Sequence, residues 1–120
     1  MAEHNKLGKS GEQIAVEYLQ KKGYKILETN WHAGKFEIDI IASISNQIII
    51  VEVKTRTSTF LMEPEAAVNK EKQRILAKAA DIYVRRNEID KEVRFDIISV
   101  VIVRDEFRIN HIEDAFYTTM

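Results

Sequence analysis

Residues 36–56, with the sequence FEIDIIASISNQIIIVEVKTR, decide the fold of this chain. Two runs rich in β-branched and aromatic residues, 36–42 and 48–56, flank a polar segment, and this pattern predicts two strands joined by a turn. The second run begins with four apolar residues, as expected for an interior strand that is covered on both faces. Charge then enters at Glu52 and Lys54, where an ionised side chain is costly unless it is paired or bound to a metal ion.

Alternation assigns the side chains of the first strand to two faces. We expect Ile38 and Ile40 to share one face, and Glu37, Asp39 and Ile41 to share the other. Glu52 and Lys54 would likewise share a face of the second strand. An ordinary ion pair between these two side chains on a solvated surface remains an alternative interpretation.

The register of the two strands decides whether their acids meet. If a two-residue loop at residues 45–46 joins the strands, antiparallel pairing places Asp39 opposite Glu52 and Glu37 opposite Lys54. Two facing carboxylates repel each other unless a cation lies between them. Oxygen ligands without cysteine suit Mg²⁺ or Mn²⁺. A slip of one residue would put the two acids on different faces.

Helical periodicity predicts two helices beside these strands. The first spans residues 10–22, where Ser10 and Gln13 form a capping-box pattern. The second begins after a cap at Asn69 and reaches about residue 86. Its apolar stripe is predicted to consist of Ile75, Leu76, Ala79, Ala80, Ile82 and Tyr83.

Three further strands are predicted, at residues 24–27, 94–103 and 107–112. The resulting order is helix, three strands, helix, two strands. This order predicts an α/β fold built on one mixed sheet.

Length and composition limit the class of protein. The 120 residues are 45% hydrophobic and 31% charged, which argues against general disorder and predicts one domain over residues 1–120, with the polar residues 1–9 as a candidate flexible arm. The absence of cysteine excludes disulfides, thiolate zinc sites and cysteine nucleophiles. No apolar run approaches the roughly 20 residues that span a bilayer, so a cytoplasmic protein with no membrane partner is expected.

The net charge is −1, which argues against a protein that holds nucleic acid through bulk charge alone. It leaves room for a local basic face, and for an acid cluster whose charge a bound cation reverses.

Glu12 is a candidate third acid. At 100° per residue it aligns with Ala15, Val16 and Leu19, so it joins the packing stripe of the first helix and could reach the other acids from above the sheet. The alternative is a first-turn acid that complements the helix dipole. Asp96 has two interpretations as well, since it could support the site or make a buried polar contact of its own.

Three segments together resemble the uncharacterised bacterial protein family UPF0102. They are Gly8-x-x-Gly11-Glu12-x-x-Ala15, Glu37-Ile38-Asp39-Ile40-Ile41-Ala42 and Val51-Glu52-Val53-Lys54-Thr55-Arg56. Shorter matches are Lys72-Gln73, Arg94-Phe95-Asp96 and Asp114-Ala115-Phe116. That family is similar in turn to the PD-(D/E)xK nuclease superfamily, especially to Holliday-junction resolvases of the archaeal type.

The resemblance implies a restriction-endonuclease-like core, with a mixed central β-sheet of about five strands flanked by helices. Asp39 corresponds to the motif aspartate, Glu52 to the second acid, Lys54 to the motif lysine, and Glu12 to the helix-one glutamate of the resolvase-like branch. Ile38 stands where the superfamily's name has proline. The implied activity is metal-dependent hydrolysis of DNA, with branched or structured DNA as a candidate substrate. Asp39, Glu52 and Glu12 would hold Mg²⁺ or Mn²⁺, and Lys54 would assist the attacking water.

Candidate contacts to nucleic acid are Arg56 and the basic second helix, although a solvated helix face explains that helix equally well. The helix residues chosen for this role are Lys70, Lys72, Gln73 and Arg74. Glu37 and Asp96 are candidate supporting residues. A homodimer is a candidate assembly, because two active faces suit the cutting of paired strands.

Two other functions stay open at this point. One is a nucleic-acid-binding accessory protein of repair or recombination, with the nuclease fold and little or no hydrolytic activity. The other is a protein-interaction module in which the acid cluster is incidental.

Overall fold

The chain folds as a five-stranded sheet with one helix on each face, in a computed structural model that describes residues 9–60 and 67–117. The elements in chain order are α1 (Gly11–Lys21), β1 (Lys25–Ala33), β2 (Phe36–Ile44), β3 (Gln47–Thr57), α2 (Lys70–Arg86), β4 (Glu92–Val103) and β5 (Glu106–Ile112). The strands lie in the sheet in the same order as in the chain. The prediction of an α/β fold with a mixed five-stranded sheet is confirmed, and the arrangement is consistent with a restriction-endonuclease-like core.

The direction in which two strands pair agrees with the length of the segment that connects them. β3 and β4 pair in parallel across the α2 crossover, and the other neighbours pair antiparallel through short turns. In the part of the chain that the structure describes, no helix is long and apolar enough to cross a membrane. The expectations for residues 1–8 lie outside the described residues.

Both helices begin at the predicted caps. The Gln13 amide donates to the Ser10 hydroxyl at 3.2 Å, and the Gln13 side chain accepts from the Ser10 amide at 2.8 Å, which completes the capping box. The Asn69 side chain accepts from the Lys72 amide at 2.8 Å. These bonds satisfy amides that the first turn of a helix leaves without partners.

The helices cover separate apolar cores. The α1 core contains buried side chains of α1 and of the three middle strands, among them Ile14, Leu19, Ile40, Ile49 and Ile98. The α2 core, on the other face, includes Ile38, Ile50, Leu76, Tyr83 and Phe95. Because β3 contributes to both, it is the covered interior strand that its sequence predicts.

The predictions for the length of β1 and for the burial of Ile75 are wrong. β1 is nine residues long, not a short strand at residues 24–27. It is an edge strand exposed to solvent on one side, and such a strand can include exposed polar residues. Ile75 of α2 is 37% exposed rather than part of the buried stripe. It lies on the rim of the helix, where apolar periodicity alone cannot separate contact with the sheet from exposure beside it.

The register of β2 and β3 agrees with the prediction. Pairing runs from Ile44↔Gln47 to Ile40↔Val51 across a two-residue turn that Ser45 enters with φ 53°. The predicted turn at 43–47 is therefore shorter than expected.

Alternation fails at Asp39. Ile38 packs in the α2 core and Ile40 in the α1 core, so the prediction that these two side chains share a face is wrong. The register of β1 with β2 leaves Asn30 between the partners of Ile38 and Ile40, and Asn30 has a left-handed φ of 52°. In both strands the alternation of side chains is therefore shifted to the opposite face of the sheet at the same level. Asp39 is the residue of β2 at which this shift occurs.

Candidate active site

The site begins where β2 and β3 stop pairing. Beyond Ile40↔Val51, the last pair of this ladder, the next residue is Asp39 on β2 and Glu52 on β3. The Val53 amide donates its hydrogen bond to Asp39 Oδ2, at 2.8 Å. A carboxylate thus replaces a main-chain acceptor, which anchors Asp39 against β3 at the end of the described ladder.

Asp39 and Glu52 form what we call the acid pair. Burial raises the pKa of Glu52 to about 6, and the charge of Asp39 adds to this increase. Burial also raises the pKa of Asp39, although the Val53 hydrogen bond opposes the change. A hydrogen bond between the two carboxyl groups raises the pKa of Glu52 and lowers that of Asp39. The sequence prediction that these acids meet is thereby confirmed.

Glu12 lies in the same electrostatic neighbourhood. Its pKa is raised by burial, then by the charges of Asp39 and Glu37. Its position depends on Gly11, because a Cβ at Gly11 would lie 2.0 Å from Thr55 Oγ1 and 2.8 Å from Thr55 Cβ. The absence of a side chain there lets the first turn of α1 rest directly on β3.

Two lysines offset the negative charge of the acid pair. Lys72 Nζ, from the first turn of α2, lies 3.8 Å from Glu52 Oε2, and the Glu52 side chain is only 16% exposed. The charges of Lys72 and Lys54 both oppose the increase in the pKa of Glu52. Lys54 is exposed on β3, two residues beyond Glu52. The structure thus places Lys72, predicted as a nucleic-acid contact, beside an acid.

The remaining candidates lie around this centre. Glu37 is half exposed, with its Oε1 atom 3.6 Å from His32 Nε2. Gln73 donates to the Val68 carbonyl at 2.9 Å, which ties the start of α2 to the segment before it. The other candidates for nucleic-acid contact are exposed: Arg56, Lys70 and Arg74.

Asp96 belongs to a different group, which we call the Asp96 cluster. Arg94 donates two hydrogen bonds to its carboxylate, at 2.9 and 2.8 Å, and the Asp114 amide donates a third at 3.0 Å. His111 Nε2 lies 2.7 Å from Asp96 Oδ2, and its Nδ1 shares a hydrogen bond with the Tyr18 hydroxyl at 3.1 Å. Of the two interpretations of Asp96, the structure therefore shows the buried polar contact.

The pKa of Asp96 lies below its ordinary value. Burial alone would raise it, but hydrogen bonds from His111, Arg94 and the Asp114 amide outweigh that effect. The sequence offered no signal for the role of His111, because its partners are 15 and 93 residues away.

The acid pair has the donor chemistry that a hard divalent cation requires. Within residues 9–60 and 67–117, however, no three His, Cys, Asp or Glu side chains are grouped so that they could hold a metal ion. The two carboxylates that are in contact, Asp39 and Glu52, fit such an ion as oxygen donors. Glu12 is close enough for the charge of Asp39 to raise its pKa, but it is not grouped with the pair as a third ligand.

The raised pKa of Glu52 predicts how stability depends on pH in the metal-free protein. The pKa of Glu52 is 4.5 in the unfolded chain and about 6 in the folded protein. Between these pH values the folded state binds more protons than the unfolded state. The free energy of unfolding therefore falls as the pH rises from 4.5 to about 6. The shift corresponds to about 2 kcal/mol. We therefore expect Glu52→Gln to be more stable relative to wild type at pH 7 than at pH 4.5, as measured by urea unfolding in EDTA. An equal difference at both pH values would contradict the assignment.

Comparison with known proteins identifies a family rather than a reaction. The family model described as "Uncharacterised protein family UPF0102" matches residues 11–100. A UPF0102 protein of Flavobacterium psychrophilum is 57% identical over 117 residues, which cover 98% of each chain. A relative from Bacteroides thetaiotaomicron is 51% identical, over 98% of this chain and 97% of its own. The names of both relatives give the family alone.

Proposed function

The chain belongs to the UPF0102 family, and from the chemistry of its acid pair we propose that it is a metal-dependent nuclease that hydrolyses phosphodiester bonds in DNA, branched or structured DNA in particular. A DNA substrate agrees with the cytoplasmic location that the sequence predicts. A homodimer would supply two active faces for paired strands.

The observation that carries the proposal is the contact between Asp39 and Glu52. Both side chains are largely buried where the β2–β3 ladder ends, and the charge of Asp39 raises the pKa of Glu52. A fold gains no stability from two acids in this position, because like charges in a poorly solvated site repel. A divalent cation between them would turn that repulsion into attraction, which gives the arrangement a functional reason.

Asp39 and Glu52 would hold Mg²⁺ or Mn²⁺, with Glu12 acting through water. When bound, such an ion stabilises charge on a scissile phosphate and lowers the pKa of a bound water. Lys54, exposed beside Glu52, would orient the attacking water or neutralise developing negative charge. Lys72 would keep the Glu52 carboxylate in position. Arg56, Lys70 and Arg74 would contact phosphates on either side of the site.

The decisive experiment is a cleavage panel. Purified protein is incubated with single-stranded, duplex, flap and four-way-junction DNA in Mg²⁺, in Mn²⁺ and in EDTA. We expect cleavage only with metal, reduced at least about 100-fold in Lys54→Ala, since a group that stabilises transition-state charge is worth about 3 kcal/mol. The matched control is Lys91→Ala, an exposed lysine next to the opposite end of the parallel strands. Equal cleavage by wild type and Lys54→Ala would identify a contaminant and reject the proposal.

A second candidate function is a DNA-binding accessory protein with little or no hydrolytic activity. The observation that favours it is the lack, among the described residues, of a group of three ligands ready for a metal ion. Binding to the same DNA panel without cleavage under any metal condition would support this function over the first.

A further inference from the structure

A groove separates the β1–β2 hairpin from the outer side of α2. We call it the hairpin groove, and its volume is about 440 Å³. Its lining residues come from the two elements on either side: Lys35, Phe36, Glu71, Arg74, Ile75 and Lys78. On α2, residues at positions i, i+3, i+4 and i+7 share a face, so this side of the helix is directed at the hairpin rather than at the sheet.

Three cations and one acid line the hairpin groove. Within the described residues, Lys35, Arg74 and Lys78 have no carboxylate within ion-pair distance. Two other basic residues of α2 do have one, since Lys72 faces Glu52 and Arg85 binds Asp81 at 2.9 Å. Cations brought together from two elements repel each other, and an anionic ligand removes that cost.

The walls of the groove also carry apolar surface. Ile75 is 37% exposed there, although the helical pattern predicts it in the core, and Phe36 is only partly buried. The ammonium group of Lys35 lies 5.8 Å from the centre of the Phe36 ring. Apolar and aromatic side chains among cations suit a nucleic-acid strand, which presents sugars and bases beside its phosphates.

The groove and the acid pair share their two supporting elements. On β2, Phe36 precedes Asp39 by three residues, which corresponds to about 10 Å along a strand. On α2, Ile75 follows Lys72 by three residues, which is just under one turn. The groove therefore lies close to the acid pair along both elements.

We infer that the hairpin groove binds the phosphate backbone of the DNA strand that enters the acid pair, with Lys35, Arg74 and Lys78 as its phosphate contacts. The inference rests on the proposed function for the identity of the ligand. It adds the β1–β2 hairpin to the binding surface, which the sequence had confined to β3 and the start of α2.

The test is a binding measurement in EDTA, which needs no hydrolysis. The probe is a fluorescein-labelled DNA duplex with a single-stranded overhang, titrated at several salt concentrations. The groove variant carries Lys35→Gln, Arg74→Gln and Lys78→Gln. The control variant carries Lys25→Gln, Arg86→Gln and Lys91→Gln, which remove the same charge from exposed positions at the opposite end of the sheet.

We expect the groove variant to bind at least about tenfold more weakly at 0.1 M salt, and to lower the slope of log Kd against log salt by about 2 to 3, one contact per cation. The control variant should change both quantities far less. Equal losses in the two variants would show a mere effect of net charge and overturn the inference, as would wild-type binding by the groove variant.

The outcome for the groove is independent of the outcome for the nuclease. Binding that depends on the groove, without cleavage by wild type, would support the inference and reject hydrolysis. Cleavage that requires Lys54, with unchanged binding by the groove variant, would support the nuclease and reject the inference.

Discussion

Replacing Asp96 with alanine is expected to destabilise the fold by about 3–5 kcal/mol, because it removes the buried carboxylate that pairs with the largely buried charge of Arg94. The Asp96 side chain is fully buried and that of Arg94 is 14% exposed. The carboxylate makes four hydrogen bonds, two with Arg94 and one each with His111 and the Asp114 amide. Alanine removes all four acceptor contacts at once, and water has little access to replace them.

Urea unfolding at pH 7 measures this loss. Asp96→Asn provides a second variant that is nearly isosteric and retains one carbonyl acceptor, so we expect a smaller loss and a protein that still folds. The control is Asp90→Asn, at an exposed position before β4, which should change stability by less than about 0.5 kcal/mol. Unfolding free energies of both Asp96 variants within that range of wild type would show that the cluster does not stabilise the fold.

Asp39→Asn is expected to keep the fold and abolish metal-dependent cleavage, with a loss of at least about 100-fold, because removal of a metal ligand costs several kcal/mol of charge stabilisation. The asparagine oxygen can still accept the Val53 hydrogen bond, which is 2.8 Å long in the native protein. Loss of the Asp39 charge also removes one cause of the raised pKa of Glu52. Stability should therefore be maintained while function is lost.

Two measurements check this result together. Thermal unfolding with and without millimolar Mn²⁺ should show a metal-induced increase in Tm for wild type and for Asp90→Asn, and none for Asp39→Asn. Cleavage of the preferred DNA from the panel should follow the same pattern. A metal-induced shift that persists in Asp39→Asn would place the ion elsewhere, and cleavage at the wild-type rate would remove Asp39 from the mechanism.

The sequence predicted those features that depend on local rules. Ser10 and Asn69 cap their helices because short polar side chains at these positions satisfy free amides, whatever the tertiary contacts. The two-residue turn after Ile44 set the register of β2 and β3, and the register in turn brought Asp39 and Glu52 together. The local rules for this one hairpin were therefore enough to predict most of the candidate site.

Other features depend on contacts between distant segments, which the sequence does not display. The change of face at Asp39 requires Asn30 on another strand to adopt a left-handed conformation, and strict alternation cannot predict it. Lys72 contacts Glu52 only because the packing of α2 against the sheet brings the first turn of the helix close to Glu52. His111 pairs with Asp96 across two strands of the sheet.

The hydrogen bond from Val53 to Asp39 gives this protein an internal spectroscopic probe. An amide proton held by a carboxylate changes its NMR resonance when that carboxylate gains a proton or a cation, and this amide is held at 2.8 Å. The Val53 resonance therefore reports the charge state of Asp39 in the unmodified chain. Titrations with acid, Mg²⁺ or DNA can be followed at the same nucleus, without a substitution that disturbs the chemistry under study.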